Sequence, residues 1–161
     1  MVSSRLRSIT HQIIIPVALV WLTGCFSSES AQLHEAEALT SEGKPDEAIA
    51  AYRTHISERL ETTDRPEWEN PYFYLLNIGD IELSRGNVAG ALAAYEEAER
   101  EKVETPLVAD RYRAVAVWYE ERGQLKSALE ILTTYREKDP LIFDSMLDRV
   151  ARRLTEVEAT P

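Results

Sequence analysis

Chemistry in a protein needs nucleophiles, titratable groups or metal ligands at workable spacing, and this chain of 161 residues offers few. Cys25 is the one cysteine, so no internal disulfide can form and no cysteine-based metal site can be built. Past the first 25 residues the histidines are His34 and His55, and they have no metal-ligand spacing. No glycine-rich phosphate loop, Gly-x-Ser-x-Gly turn or Cys/His pair occurs. The run Glu96, Glu97, Glu99 and Glu101 reads as a solvated helix face rather than a cation site. Trp118 and Tyr119 read as core or groove lining rather than a cofactor box. These residues predict no enzymatic activity, no metal and no dissociable cofactor.

Cys25 is singled out by its surroundings. Arg5 and Arg7 supply a positive start, and Ile13 to Leu22 an uninterrupted apolar run. That run is about half the roughly 20 residues a membrane-spanning helix needs, so a signal segment is the better reading. It ends in Leu22-Thr23-Gly24-Cys25, which resembles a bacterial lipobox: an aliphatic residue, two small residues, then the thiol that accepts diacylglycerol. The resemblance implies a signal peptide over residues 1–24, cleavage before Cys25, and a covalent lipid on that residue. Residues 25–28 then form the lipidated Cys25 and a short tether. Each buried lipid methylene adds about 0.8 kcal/mol of membrane affinity, so two or more chains hold the domain stably. Phe26 stands where an Asp retains enterobacterial lipoproteins in the inner membrane, which points to the periplasmic face of the outer membrane.

The formal net charge is −10, and losing a segment that holds Arg5 and Arg7 but no acid takes it to about −12. So acidic a domain repels nucleic acid and anionic surfaces, because phosphate binding needs clustered Lys and Arg. Hydrophobic residues make up 44% of the chain, enough to build a core rather than a disordered tail.

The elements that must carry any site come in repeats. Gly43-Lys44-Pro45-Asp46-Glu47-Ala48-Ile49, Gly86-Asn87-Val88-Ala89-Gly90-Ala91-Leu92 and Gly123-Gln124-Leu125-Lys126-Ser127-Ala128-Leu129 share one pattern. In each, Ala follows Gly by five residues, and an aromatic or Leu (Tyr52, Tyr95, Leu132) follows that Ala by four. The physical logic is a helical hairpin: Gly ends one helix in the left-handed conformation, Ala sits where helices approach closely, and the larger side chain fills the groove. Leu75, Asn77, Ile78, Gly79 and Ala98 extend the middle copy. Tyr112, Val115, Ala116, Tyr119, Tyr135 and Pro140 extend the third. Ala36 and Leu39 extend the first, where Gln32 and Glu35 replace larger residues and His55 stands where a small one is usual.

This set resembles the tetratricopeptide-repeat (TPR) family. The resemblance implies an all-α fold: an α-solenoid of about three TPR-like hairpins over residues 29–140 (29–62, 72–105 and 109–140). A C-terminal capping helix over 141–158 follows, apolar along Ile142, Met146, Val150 and Leu154. Asn70-Pro71, Thr105-Pro106 and Asp139-Pro140 each place an N-cap before Pro at a first helical position.

The family's ligand-facing positions lie on the first helix of each repeat. Carried onto this chain they are Leu33 and Glu37, then Phe73, Leu76, Asp80 and Leu83, then Asp110, Arg113, Val117 and Glu120. Phe73, Leu76 and Leu83 form either an apolar patch for a peptide with basic flanks or internal packing against the first repeat. The implied function is a membrane-anchored adaptor that binds a protein or peptide partner in the cell envelope. The alternative is a structural subunit that self-associates as a homo-oligomer without a peptide groove.

Overall fold

The computed structural model describes residues 28–159; Cys25, the apolar run before it and the tether up to Ser27 lie outside the described residues. The described chain is all-helical. Its α-helices are α1 (Ser28–Ser41), α2 (Pro45–Glu61), α3 (Tyr74–Ser84), α4 (Val88–Arg100), α5 (Thr105–Glu121), α6 (Leu125–Thr134) and α7 (Pro140–Ala159). Short 3-10 turns cover Pro71–Phe73 and Arg136–Lys138. No described residue is in a strand, and no described helix is long and apolar enough to cross a membrane.

Local chemistry explains where the helices start and stop. Pro45 opens α2 with Asp46 and Glu47 in its first turn, which suits the positive end of the helix dipole. The side chains of Asn70, Asn87 and Asp139 accept from the backbone amides of Tyr72 (3.1 Å), Gly90 (3.2 Å) and Ile142 (3.2 Å). Thr105 departs from its expected role: it is the first residue of α5 and Glu104 precedes the helix without a side-chain cap. Pro106 therefore sits one position further in, where its missing N–H still costs nothing. As a result α5 begins four residues before the stretch assigned to the third repeat.

Three of these stops are one motif. Gly43, Gly86 and Gly123 have φ of +72°, +81° and +71°. After each, the next residue donates back to the carbonyl five before it: Lys44 to Leu39 (2.9 Å), Asn87 to Glu82 (2.9 Å) and Gln124 to Tyr119 (3.0 Å). The glycine itself donates three back, to Thr40, Leu83 and Glu120. Both bonds satisfy carbonyls that the end of a helix would leave orphaned.

Each tight turn folds two helices into an antiparallel pair, α1 on α2, α3 on α4 and α5 on α6, and each pair packs on the next, with α7 on α6. The small residues do what their spacing predicts. Ala48, Ala91 and Ala128 are fully buried, and Ala36, Gly79 and Ala116 on the partner helices are buried too. A Cβ on Gly79 would run into the Tyr95 ring, so glycine there is a packing requirement. Tyr52, Tyr95 and Leu132 fill the space between helices. Tyr112 stands edge-on to Tyr95 at 6.2 Å and stacks on Tyr135 at 3.6 Å, which ties the second pair to the third. Phe143, Met146 and Val150 of α7 cover the apolar side of α6.

Alternating helix direction gives the molecule two ends. The three glycine turns lie at one end. At the other, called the base here, lie the connectors 62–70, 101–104 and 135–139 and the start of α1. Hydrogen bonds across the base confirm the placement. Gln32 near the start of α1 donates to Glu58 near the end of α2 (2.6 Å), and Asn70 donates to the Glu101 carbonyl (2.9 Å). The longest connector is strapped down by a part-buried pair, Arg59 Nε to Glu69 Oε1 at 2.6 Å, while Arg65 donates to the Arg59 carbonyl at 3.1 Å.

Candidate functional site

The face built by α3 and α5, with α1 and α2 beside it, holds a cleft of about 340 Å³ lined by Thr40, Tyr52, Asn77, Asp80, Ile81, Ser84 and Arg111. Helical spacing makes its centre: Asn77, Asp80 and Ser84 fall at i, i+3 and i+7 along α3, so their side chains share one stripe. The opposite stripe, Leu75, Ile78 and Gly79, turns into the core. Asp80 accepts from the Tyr95 hydroxyl (2.8 Å) and from Arg111 Nε (3.0 Å). Burial, and then the Asp80 carboxylate, push the Tyr95 hydroxyl far above the ordinary tyrosine range, so it stays a hydrogen-bond donor. Asn77 donates to Tyr52 Oη at 3.2 Å. The cleft thus offers both signs of charge, a hydroxyl and an amide, each held by a neighbour.

The residues expected to face a ligand do not converge. Only Asp80 lies in this cleft. Phe73 stands at the base, exposed to 41%, on a separate pocket of about 500 Å³ shared with Trp68, Tyr74, Val103 and Leu107. Asp110 and Arg113, paired to each other, border a third depression with Leu141, Ile142 and Met146 of α7. Val117 is half-buried against the core. Glu120 is engaged, accepting from Arg149 (2.6 Å) and Arg153 (3.3 Å) and so fastening α7 to α5. In the first pair Leu33 is half-buried against the core and Glu37 is exposed.

Leu76 and Leu83 require a correction. Both are buried, Leu76 completely, so neither can touch a ligand in this conformation. An apolar helix between two neighbours buries more than one stripe, which is the internal-packing alternative. The cleft is therefore mixed, with Tyr52 and Ile81 beside its polar groups, where an apolar patch of Phe73, Leu76 and Leu83 was expected.

Sequence reasoning missed Arg111, Ser84 and Thr40 as cleft residues and did not single out Trp68. Part of the signal was present: Asn77, Asp80 and Ser84 are a polar stripe on a helix whose other residues, Glu82 apart, are mostly apolar. Arg111 sits 31 residues from its partner Asp80 and gives no local sign.

His55 also has an account. It is buried, edge-on to the Tyr74 ring at 4.7 Å, and its Nδ1 has no hydrogen-bond partner. Burial lowers its basicity below that of a free histidine, against the opposing pull of Glu58 and Glu69. Among the described residues no group of three or more His, Cys, Asp or Glu side chains is placed to hold a metal ion.

The chain matches no protein-family model and no curated protein.

Proposed function

We propose that this chain is a non-enzymatic, lipid-anchored adaptor: an α-solenoid of three TPR-like hairpins and a capping helix that holds a segment of an envelope protein. One observation carries the reading. The cleft on α3 and α5 leaves the Asp80 and Arg111 side chains 43% and 26% exposed beside exposed Thr40 and Ser84, although Asp80 and Asn77 also bond across helices to Tyr95 and Tyr52. Extended peptide backbone carries a donor and an acceptor at every residue, and a surface with both signs of charge and an amide can satisfy it. The identical glycine turns and buried alanines support the repeat reading. The lipobox-like Leu22-Thr23-Gly24-Cys25 supports the anchor, and Phe26 in place of Asp supports the periplasmic face of the outer membrane. Anchoring confines the adaptor to two dimensions and raises the effective concentration of what it holds. A structural, self-associating subunit is the second reading, and it draws on the exposed apolar residues at the base.

Photo-crosslinking in cells tests the adaptor, with the reactive group at the exposed positions Thr40 and Ser84 and, as control, at exposed Ala93 on α4. A discrete partner trapped from both cleft positions and absent at Ala93 is expected. Crosslinks only to a second copy, or none above the control, refute the peptide cleft and favour the structural subunit.

A further inference from the structure

Six large apolar side chains are exposed among the described residues: Leu60, Trp68, Phe73, Leu141, Ile142 and Val157. Five of them lie at the base. Leu60 is in the last turn of α2, Trp68 in the following connector, Phe73 just before α3, and Leu141 and Ile142 in the first turn of α7. Trp68 and Leu141 are each 84% exposed. Val157 alone is at the other end, where Lys126 pairs with Glu158. Chance placement along seven helices gives no reason for this grouping, and exposed apolar groups clustered on one side mark a surface that something covers.

The chain itself says what. It enters the fold at the base, where α1 begins at Ser28, and Cys25 is three residues earlier. Three residues span at most about 10 Å, so a lipid on Cys25 puts the bilayer within about 10 Å of the base. We propose that the base is a membrane-docking surface: the domain stands end-on, with Trp68, Phe73 and Leu141 in the interfacial layer of a zwitterionic bilayer. The inference rests on the lipid-anchor reading and adds an orientation to it. Tryptophan favours the bilayer interface, where its ring is half in apolar and half in wet surroundings. The charge of the three connectors, seven acids against four bases, disfavours an anionic surface but not a zwitterionic one. Weak individual contacts suffice because the lipid holds them at high effective concentration. The cleft at Asp80, about midway along α3, then faces sideways and stays open to a partner.

A natural ruler tests this. Trp118 is 13 residues, about 20 Å, along α5 from the base and lies beside Gly86 at the turn end. The lipidated chain that begins at Cys25, matured in cells and purified from their membranes, is reconstituted in phosphatidylcholine vesicles with and without brominated acyl chains. Trp118→Phe isolates Trp68, and Trp68→Phe isolates Trp118. Expected are co-flotation with the vesicles, at least twofold quenching of Trp68 by brominated lipid, and no quenching of Trp118. Co-flotation with Trp68 unquenched, or with both residues quenched alike, overturns the end-on docking and leaves the anchor standing. No flotation overturns the anchor and the docking with it. A Trp68 blue shift that follows protein density rather than brominated lipid assigns the base to a second copy and also overturns the proposal. Hydrogen exchange on the anchored chain without substitutions gives the same answer: slowing in 64–70 and none at the turns 42–44, 86–87 and 123–124 is expected, and uniform exchange at both ends refutes it.

Discussion

Lys102, at the end of α4, adopts a φ of +66° and is the only non-glycine described residue with a positive value. Its neighbours repeat the bonds of the three glycine turns, Val103 donating to Ala98 (3.0 Å) and Lys102 to Glu99 (3.1 Å). A Cβ in this conformation meets the following carbonyl, which costs roughly 1–2 kcal/mol. Lys102→Gly relieves that cost but adds freedom to the unfolded chain. A net gain of about 0.5–1 kcal/mol is expected, read as a higher urea midpoint with an unchanged m-value. A loss of stability would mean the lysine side chain contributes more than its backbone costs.

Among elements, the 62–70 connector shows how a long irregular segment is held in place. Connectors of this length are common sites of mobility, but Glu69 is drawn onto α2 by Arg59, whose side chain is almost fully buried. The Arg59 hydrogen bond, and then its charge, hold the Glu69 carboxyl below the usual range. Glu69→Gln keeps the shape but leaves the guanidinium against a neutral amide where little water can replace it. The expected cost is about 1–3 kcal/mol. Glu67→Gln, two residues away and exposed, is the control, with a change within about 0.5 kcal/mol. Equal effects would show that the pair does not hold the connector. The pairing also shapes function, since this connector presents Trp68 at the base.

For the whole molecule, the buried titratable groups set a pH window. Burial, then nearby carboxylates (Asp80 for Tyr95, Glu99 for Tyr112), raise both tyrosine hydroxyls well above their unfolded value of about 10. Their contribution is complete below pH of about 10. It is lost above that, because the unfolded chain releases protons that the fold retains. His55 works in the other direction. Its basicity is lowered in the fold, so its contribution is present above about pH 6.5 and falls as the unfolded chain takes up a proton below it. Glu69, lowered in the fold, adds a further loss in acid below about pH 4.5. A melting temperature that is level between roughly pH 6.5 and 10 and falls on both sides is expected. Absorbance at 295 nm should show Tyr95 and Tyr112 ionising only as helical circular dichroism is lost. Their ionisation in the intact fold would show the core is open to hydroxide.

The amino-acid sequence by itself determined the helical class, the three glycine turns and the small residues at the helix crossings. Each of these is a local demand: a positive φ needs glycine, and a close helix approach needs Ala48, Ala91 or Ala128. The fully apolar stripe of α3 was legible too, but not which of its residues would find a neighbour. Leu76 and Leu83 are buried because other helices lie against them, and Phe73, just before the helix, is not. Only the tertiary structure brought Arg111 to Asp80, fastened Glu120 to α7, and gathered Trp68, Phe73 and Leu141 at the end where the chain enters. Those are distances between residues far apart in the chain, and they depend on how the helix pairs stack, which periodicity along a single helix does not encode.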